Sequence, residues 1–174
     1  YRYPARFSGS FARAAIEAFS RPGDVIMDPH VGGGTTLVEA LALGRSAVGV
    51  DISELAEFVA TVKTTVYSDR QLTTLQTWAE RLPAAINLRK WSIHFEDYFE
   101  RGYYKHLDHP TRWRARKAIE QALGSALTLP PALRDFGRCV VLRAAQTALD
   151  GRKTTMPIPA FRQLIGKYAV EMVE

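Results

Sequence analysis

One strand–turn–helix–strand pattern near the start of the chain constrains its fold more than any other feature. The apolar run 25–27 leads into Asp28, Pro29 and the glycine-rich segment 30–36, His-Val-Gly-Gly-Gly-Thr-Thr. A helical pattern follows, and a second apolar run, 47–50, ends at Asp51. Parallel strands joined by a helix bring their carboxyl ends to one edge, where nucleotide-like ligands bind. The pattern therefore predicts an α/β unit whose ligand site includes the turn and Asp51.

The residues of the turn exclude two common phosphate sites. A Walker loop needs Gly-Lys followed by Ser or Thr, whereas Gly34 is followed by Thr35 and Thr36. The dinucleotide fingerprint has spaced glycines and begins directly after the strand, whereas Asp28 and Pro29 come first here. A carboxylate at the strand end would repel a pyrophosphate but suits a ligand with an ammonium group and hydroxyls. S-adenosylmethionine carries both, and a tight turn without any ligand is the alternative.

From about residue 68 the pattern is helical. A capping box at 68–71 begins a helix, the paired prolines 130–131 begin another, and no convincing strand follows Ile52. We therefore predict an α/β unit over residues 1–67 and an all-helical subdomain over 68–174. Two parallel strands do not make a stable doubly wound sheet. Either a further strand lies around residues 91–95 or, as we favour, the missing strands belong to the remainder of a larger enzyme or to a complementary subunit.

Composition narrows the class of partner. The net charge of +5 favours an acidic partner, nucleic acid above all. The single cysteine, Cys139, lies in an apolar helical stretch and is expected to be a buried filler, which fits the reducing cytoplasm. No apolar run approaches the length of a membrane span. The spacing of His94, His106 and His109 is not that of a metal site, so no metal is expected.

The segment from Asp28 to Thr36 resembles the cofactor motif of the amino-methylating DNA methyltransferases, which act on an exocyclic amine of adenine or cytosine. That motif usually has Phe at the position of His30, which we interpret as a neutral packing residue. Segments 4–7 and 49–53 resemble the flanking motifs of the family. The resemblance is close over residues 1 to about 65 and looser over the helical remainder.

The resemblance implies a Rossmann-like methyltransferase fold, S-adenosylmethionine as cofactor, DNA as partner, and a place in restriction-modification. Asp28 and the turn would hold the amino-acid part of the cofactor, Asp51 the ribose, and Phe7 would close the methionine end. The implied cofactor residues are Arg6, Phe7, Ser8, Asp28, Pro29, His30, Gly32, Gly33, Gly34, Thr35, Thr36, Asp51 and Ile52.

The family's catalytic motif, Asp, Asn or Ser followed by Pro-Pro and an aromatic residue, is absent from the sequence. The prolines at 130–131 lack the polar residue before them and the aromatic residue after them, so we interpret them as a helix start. The catalytic residues are thus unknown, and the order of motifs places them after residue 174. A methyltransferase acting on RNA and a non-catalytic subunit that binds cofactor or DNA remain open.

Basic residues of the helical part are candidates for phosphate contacts, and Trp113 could stack on a base or wedge between bases. A solvated helical face is the alternative. The DNA-contact candidates are Arg112, Trp113, Arg114, Arg116, Lys117, Arg152 and Lys153.

Overall fold

Residues 7–90, 100, 112–149 and 155–173 are those that the computed structural model of the chain describes. The chain divides into two units, Tyr1–Val66 and Tyr67–Glu174. The described residues form a mixed α/β structure that is mostly helical and contains one two-stranded parallel sheet. The Rossmann-like assignment of the first unit stays a prediction, because two strands do not define that fold.

The first unit alternates helices and strands. Its elements are α1 (Gly9–Phe19), β1 (Val25–Asp28), α2 (Thr35–Ala42), β2 (Ser46–Gly49) and α3 (Glu54–Thr64). The strands run parallel, with Val25 opposite Ser46 and Asp28 opposite Gly49. Their carboxyl ends therefore meet at one edge of the sheet, as the sequence pattern predicts.

Short polar residues and a glycine set the helix ends of this unit. The backbone N–H of Phe11 donates to Ser8 Oγ at 3.2 Å, which caps α1. Gly44 follows α2 with a φ of +73°, the left-handed conformation common just after a helix. Ser53 occupies the N-cap position of α3, but its side chain makes no capping bond.

One face of the sheet carries the core of the first unit. Val31, Leu37, Ala56 and Ala60 are buried together, and Ala47 of β2 packs against them. The opposite face is bare among the described residues of this unit: Met27 and its cross-strand neighbour Val48 are 65% and 50% exposed. Val25 and Val50, which alternate with the covered positions, are exposed as well.

All the regular secondary structure among the described residues of the second unit is helical. Its elements are α4 (Asp69–Ala85), α5 (Trp113–Leu127), α6 (Arg134–Leu149), which follows a 3-10 turn at Pro131–Leu133, and α7 (Ile158–Val173). The capping box predicted at 68–71 is confirmed, with the Ser68 N–H donating to Gln71 Oε1 at 2.9 Å. The core side chains buried most completely include Leu75, Leu82, Leu133, Val140 and Ile165.

A membrane-spanning helix and a metal site are two features that can be sought within the described residues. None of their helices has the length and apolarity needed to cross a bilayer. Within the same residues no group of three potential metal ligands comes together, and the three histidines at 94, 106 and 109 lie outside them. Cys139 is buried, as predicted for a core filler.

Candidate cofactor site

Two carboxylates mark the carboxyl ends of the neighbouring strands. Asp28 is the last residue of β1, and Asp51 follows β2 by two residues. The backbone continues the pairing beyond the strands, because Val50 N–H donates to Asp28 O at 2.9 Å and Val31 N–H donates to Val50 O at 3.1 Å. The glycine-rich turn is thereby fixed to the end of β2, between the two acids.

Backbone N–H groups orient the Asp51 carboxylate. Gly32 N–H donates to its Oδ2 at 2.8 Å and Ser53 N–H donates to its Oδ1 at 2.9 Å. These two bonds, that of Gly32 first, hold the pKa of Asp51 below its ordinary value, and the nearby His30 acts in the same direction. Each carboxylate oxygen can accept more than one hydrogen bond, so Asp51 stays charged and can still accept from two hydroxyls.

Gly34 is required by the shape of the turn. Its φ is +76°, and a Cβ there would lie 3.0 Å from Cα of Ala60 in α3. The residue is also the N-cap of α2 and offers no side chain to the first N–H groups of the helix. The positive end of α2, at Thr35 and Thr36, therefore has no side-chain cap and suits an anionic group.

Two cavities adjoin at Val31, which lines both. The first has a volume of about 290 Å³ and is lined by Phe7, Asp28, His30, Val31, Gly33, Thr35 and Thr36. The second has a volume of about 300 Å³ and is lined by Val31, Leu37, Gly49, Val50, Asp51, Glu57, Ala60, Thr61 and Thr64. Together they form an extended site with one strand-end carboxylate in each part, on the scale of small-molecule pockets.

The predicted cofactor residues do not all meet at these cavities. Ser8 Oγ is engaged in capping α1, and the His30 backbone N–H donates to Asp28 Oδ1 at 3.0 Å. Within the part of the chain that the structure describes, the predicted residues that line neither cavity are Ser8, Pro29, Gly32, Gly34 and Ile52. Ile52 is fully exposed. Arg6 lies outside the described residues.

Sequence reasoning overlooked the contribution of α3. Glu57, Ala60, Thr61 and Thr64 line the second cavity, and Lys63 Nζ donates to Gly33 O at 2.6 Å. The spacing 57, 60, 61, 64 is that of one helix face. That spacing, directly after the acid at the end of the second strand, is the signal that could have identified this wall of the site.

The candidate DNA-contact residues of the second unit fall into two groups. Trp113 is 43% exposed, and Arg114 Cζ lies 5.3 Å from the centre of its ring. Both line a groove of about 580 Å³ together with Arg89 and the segment 155–159. This groove is larger than either cavity of the first unit. Among the described residues no carboxylate lines it, so these residues do not offer the acidic groups of the two cavities.

Of the other candidates, two are engaged within the unit, one is exposed, and two are not described. Arg116 Nε lies 3.5 Å from Glu120 Oε1, and both side chains are largely buried. Lys117 Nζ donates to Leu88 O at 2.8 Å. Arg112 is exposed just before α5, whereas Arg152 and Lys153 lie outside the described residues. Among the described candidates, Trp113 and Arg114 are the two that line the groove.

Known proteins resemble the part of the chain that carries the cavities. Residues 1–61 match the family model described as DNA methylase. The Type II methyltransferase M.MjaII of Methanocaldococcus jannaschii is 36% identical over 70 residues, which is 38% of this chain and 13% of that enzyme. M.BsoBI of Geobacillus stearothermophilus is 34% identical over 67 residues, again 38% of this chain and 13% of the relative.

A third relative, M.SmaI of Serratia marcescens, is 42% identical over 50 residues, or 29% of this chain and 17% of the enzyme. The matches thus span less than a fifth of the length of these curated relatives. No solved structure matches the chain. The predicted resemblance to DNA methyltransferases is confirmed for the N-terminal part of the chain.

Proposed function

We propose that this chain, whose residues 1–61 match the family model described as DNA methylase, binds S-adenosylmethionine as the cofactor part of an enzyme that methylates an exocyclic amine of a DNA base. The observation that carries the proposal is the placement of Asp51. Its carboxylate is held by the N–H of Gly32 in the turn and lines a cavity that adjoins the one lined by Asp28.

The chemistry of the two cavities fits this cofactor. Asp28 offers a carboxylate to the ammonium group, and the uncapped start of α2 offers N–H groups to the cofactor's carboxylate. Asp51 accepts from the ribose hydroxyls, while Val31 and Phe7 supply apolar contact. When bound, the cofactor supplies the methyl group, and the residues of this chain hold it in place.

The bare face of the sheet supports a further part of the proposal. Parallel sheets are normally covered on both faces, whereas Val25, Met27, Val48 and Val50 are exposed among the described residues of the first unit. We propose that the remainder of the enzyme, or a complementary subunit, extends the sheet and covers this face. That part would carry the catalytic motif, which this sequence lacks.

Calorimetric titration with S-adenosylhomocysteine tests the cofactor proposal. Asp51→Ala should weaken binding about tenfold or more, because it removes charged acceptors for two hydroxyls. Asp24→Ala is the matched control, because it removes an exposed carboxylate just before β1, at the other end of the strand. If Asp51→Ala bound the ligand as tightly as wild type, the assignment would be contradicted. It would also be contradicted if Asp51→Ala and Asp24→Ala lowered the affinity equally.

The second unit is proposed to contact DNA through Trp113 and Arg114. Arg114→Gln should weaken binding to a labelled DNA duplex and reduce its salt dependence, since a phosphate contact releases counterions. Arg138→Gln is the control, because this exposed arginine pairs with Asp135 at 2.8 Å. Equal losses for both variants would exclude a specific role for Arg114. Titration of an RNA duplex of the same sequence in parallel tests the alternative that the enzyme acts on RNA, because tighter binding of RNA than of DNA would favour that alternative.

A further inference from the structure

One face of α3 supports the glycine-rich turn at two consecutive residues. Gly34 approaches Ala60 so closely that a Cβ would lie 3.1 Å from the Ala60 Cβ. One helical turn further along, Lys63 Nζ donates to Gly33 O at 2.6 Å. Because residues three apart lie on the same face of a helix, Ala60 and Lys63 form one continuous support beneath the turn.

Lys63 fixes the orientation of a single peptide unit. The carbonyl of Gly33 and the N–H of Gly34 belong to the same planar group and point in opposite directions. The N–H donates to Val31 O at 2.8 Å, and the carbonyl accepts from Lys63. Glycines resist rotation of such a unit poorly, because both of their backbone angles are free. Bonds at both ends of the peptide unit hold it against that rotation.

The backbone does not provide this support by itself. Gly33 is buried, and among the described residues no backbone N–H donates to its carbonyl oxygen. A buried carbonyl without a donor is unfavourable, so the turn depends on a side chain from elsewhere in the sequence. Lys63 supplies the donor: the residue is exposed overall, and its ammonium donates to the carbonyl in a partly buried bond.

We propose that Lys63 is a positioning residue for the cofactor pocket. It holds the Gly33–Gly34 peptide so that Gly33, Thr35 and Thr36 line the cavity that contains Asp28. This inference rests on the proposed function for its link to the cofactor. Its effect should fall on the part of the ligand that lies against the turn, the amino-acid part, rather than on the nucleoside.

Two ligands and three variants of the full chain test the proposal. The ligands are S-adenosylhomocysteine and 5′-deoxy-5′-methylthioadenosine, which lacks the amino-acid part. Lys63→Met should weaken binding of the first about three- to tenfold, the worth of one hydrogen bond, and leave the second within about twofold. Lys63→Arg should restore most of the affinity. Arg13→Met, which removes a cation paired with Glu39 in the same unit, should leave both ligands unaffected.

Amide hydrogen exchange supplies a readout that needs no ligand. Lys63→Met should speed exchange in the peptide covering residues 32–36 and leave α1 unchanged. Unchanged exchange at 32–36, or equal losses for both ligands, would overturn the positioning role. If wild-type protein bound neither ligand, the proposed function would fail by itself, and the exchange data would still decide whether Lys63 holds the turn.

Discussion

Replacing Gly34 by alanine tests whether the close approach of the turn to α3 builds the cofactor site. Gly34 has a φ of +76°, and left-handed backbone costs a non-glycine residue roughly 1–2 kcal/mol. A Cβ here would also lie 3.0 Å from Cα and 3.1 Å from Cβ of Ala60. Since Ala60 is buried in the core, either the turn or the helix must move to admit the methyl group.

Gly44 provides the matched control, because it has nearly the same backbone angle without the contact. Its φ is +73°, and no atom lies within 4 Å of a Cβ placed there. Gly44→Ala should therefore lower the free energy of unfolding of the first unit by about 1–2 kcal/mol through strain alone. Gly34→Ala should lower it further, by about 1–3 kcal/mol, because it also overpacks the core.

The two variants should differ in binding as well as in stability. Gly34→Ala displaces the turn, so its affinity for S-adenosylhomocysteine should fall about tenfold or more, whereas Gly44→Ala should stay within about twofold of wild type. Tryptophan fluorescence cannot follow the first unit, because the three tryptophans stand at positions 78, 91 and 113.

Hydrogen exchange in α2 and α3, measured over a urea series, reports the stability of the first unit, and calorimetry reports the affinity. Equal losses of stability and equal affinities for the two variants would refute the reasoning. In that case the contact with Ala60 would contribute nothing to the site.

The remaining predictions concern acid, the turn and the helical unit. Because the pKa of Asp51 is lowered in the folded chain, its bonds contribute fully above its ordinary value of 3.8 and are lost as pH falls through the folded value. Protection factors near the turn, which compare each measured exchange rate with the intrinsic rate at the same pH, should therefore fall in acid, and Asp51→Asn should lack this fall. His30→Phe should leave affinity for S-adenosylhomocysteine within about twofold, since the bond to Asp28 uses the backbone N–H; a tenfold loss would show that the imidazole itself matters. Gly124→Ala should stabilise the second unit by about 0.5–1 kcal/mol in urea unfolding, because its Cβ meets nothing within 4 Å. Gly137→Ala should destabilise that unit, because its Cβ would lie 2.8 Å from Ala126; equal effects would contradict this.

Local sequence was sufficient to predict the elements that carry the site. The apolar runs, the glycines and the acids lie within a short stretch, so their spacing alone predicts two parallel strands that end at one edge. The capping box at 68–71 is likewise a local signal, and the structure contains both of its bonds. Predictions of this kind succeed because each depends on residues only a few positions apart.

Side-chain roles that depend on distant partners could not be predicted. Lys63 lies 30 residues from the carbonyl it binds, and Lys117 lies 29 residues from Leu88. In the sequence, Arg116 and Lys117 resemble a solvated basic patch next to Trp113. In the structure, both cations point back into their own unit, and only the fold brings their partners into reach.

If the proposed remainder or complementary subunit covers the bare face of the sheet, the abundance of this protein depends on the abundance of that part. Among the described residues β1 and β2 are both edges of the sheet, and open edges beside an apolar face promote self-association. Any chain that covers this face stabilises the folded unit by mass action, to an extent set by its own concentration. The proposed methyltransferase would then be subject to a stoichiometric control, with surplus copies of this chain aggregating or being degraded. Raising expression of this chain alone should therefore increase the insoluble fraction rather than the methylating capacity of the cell.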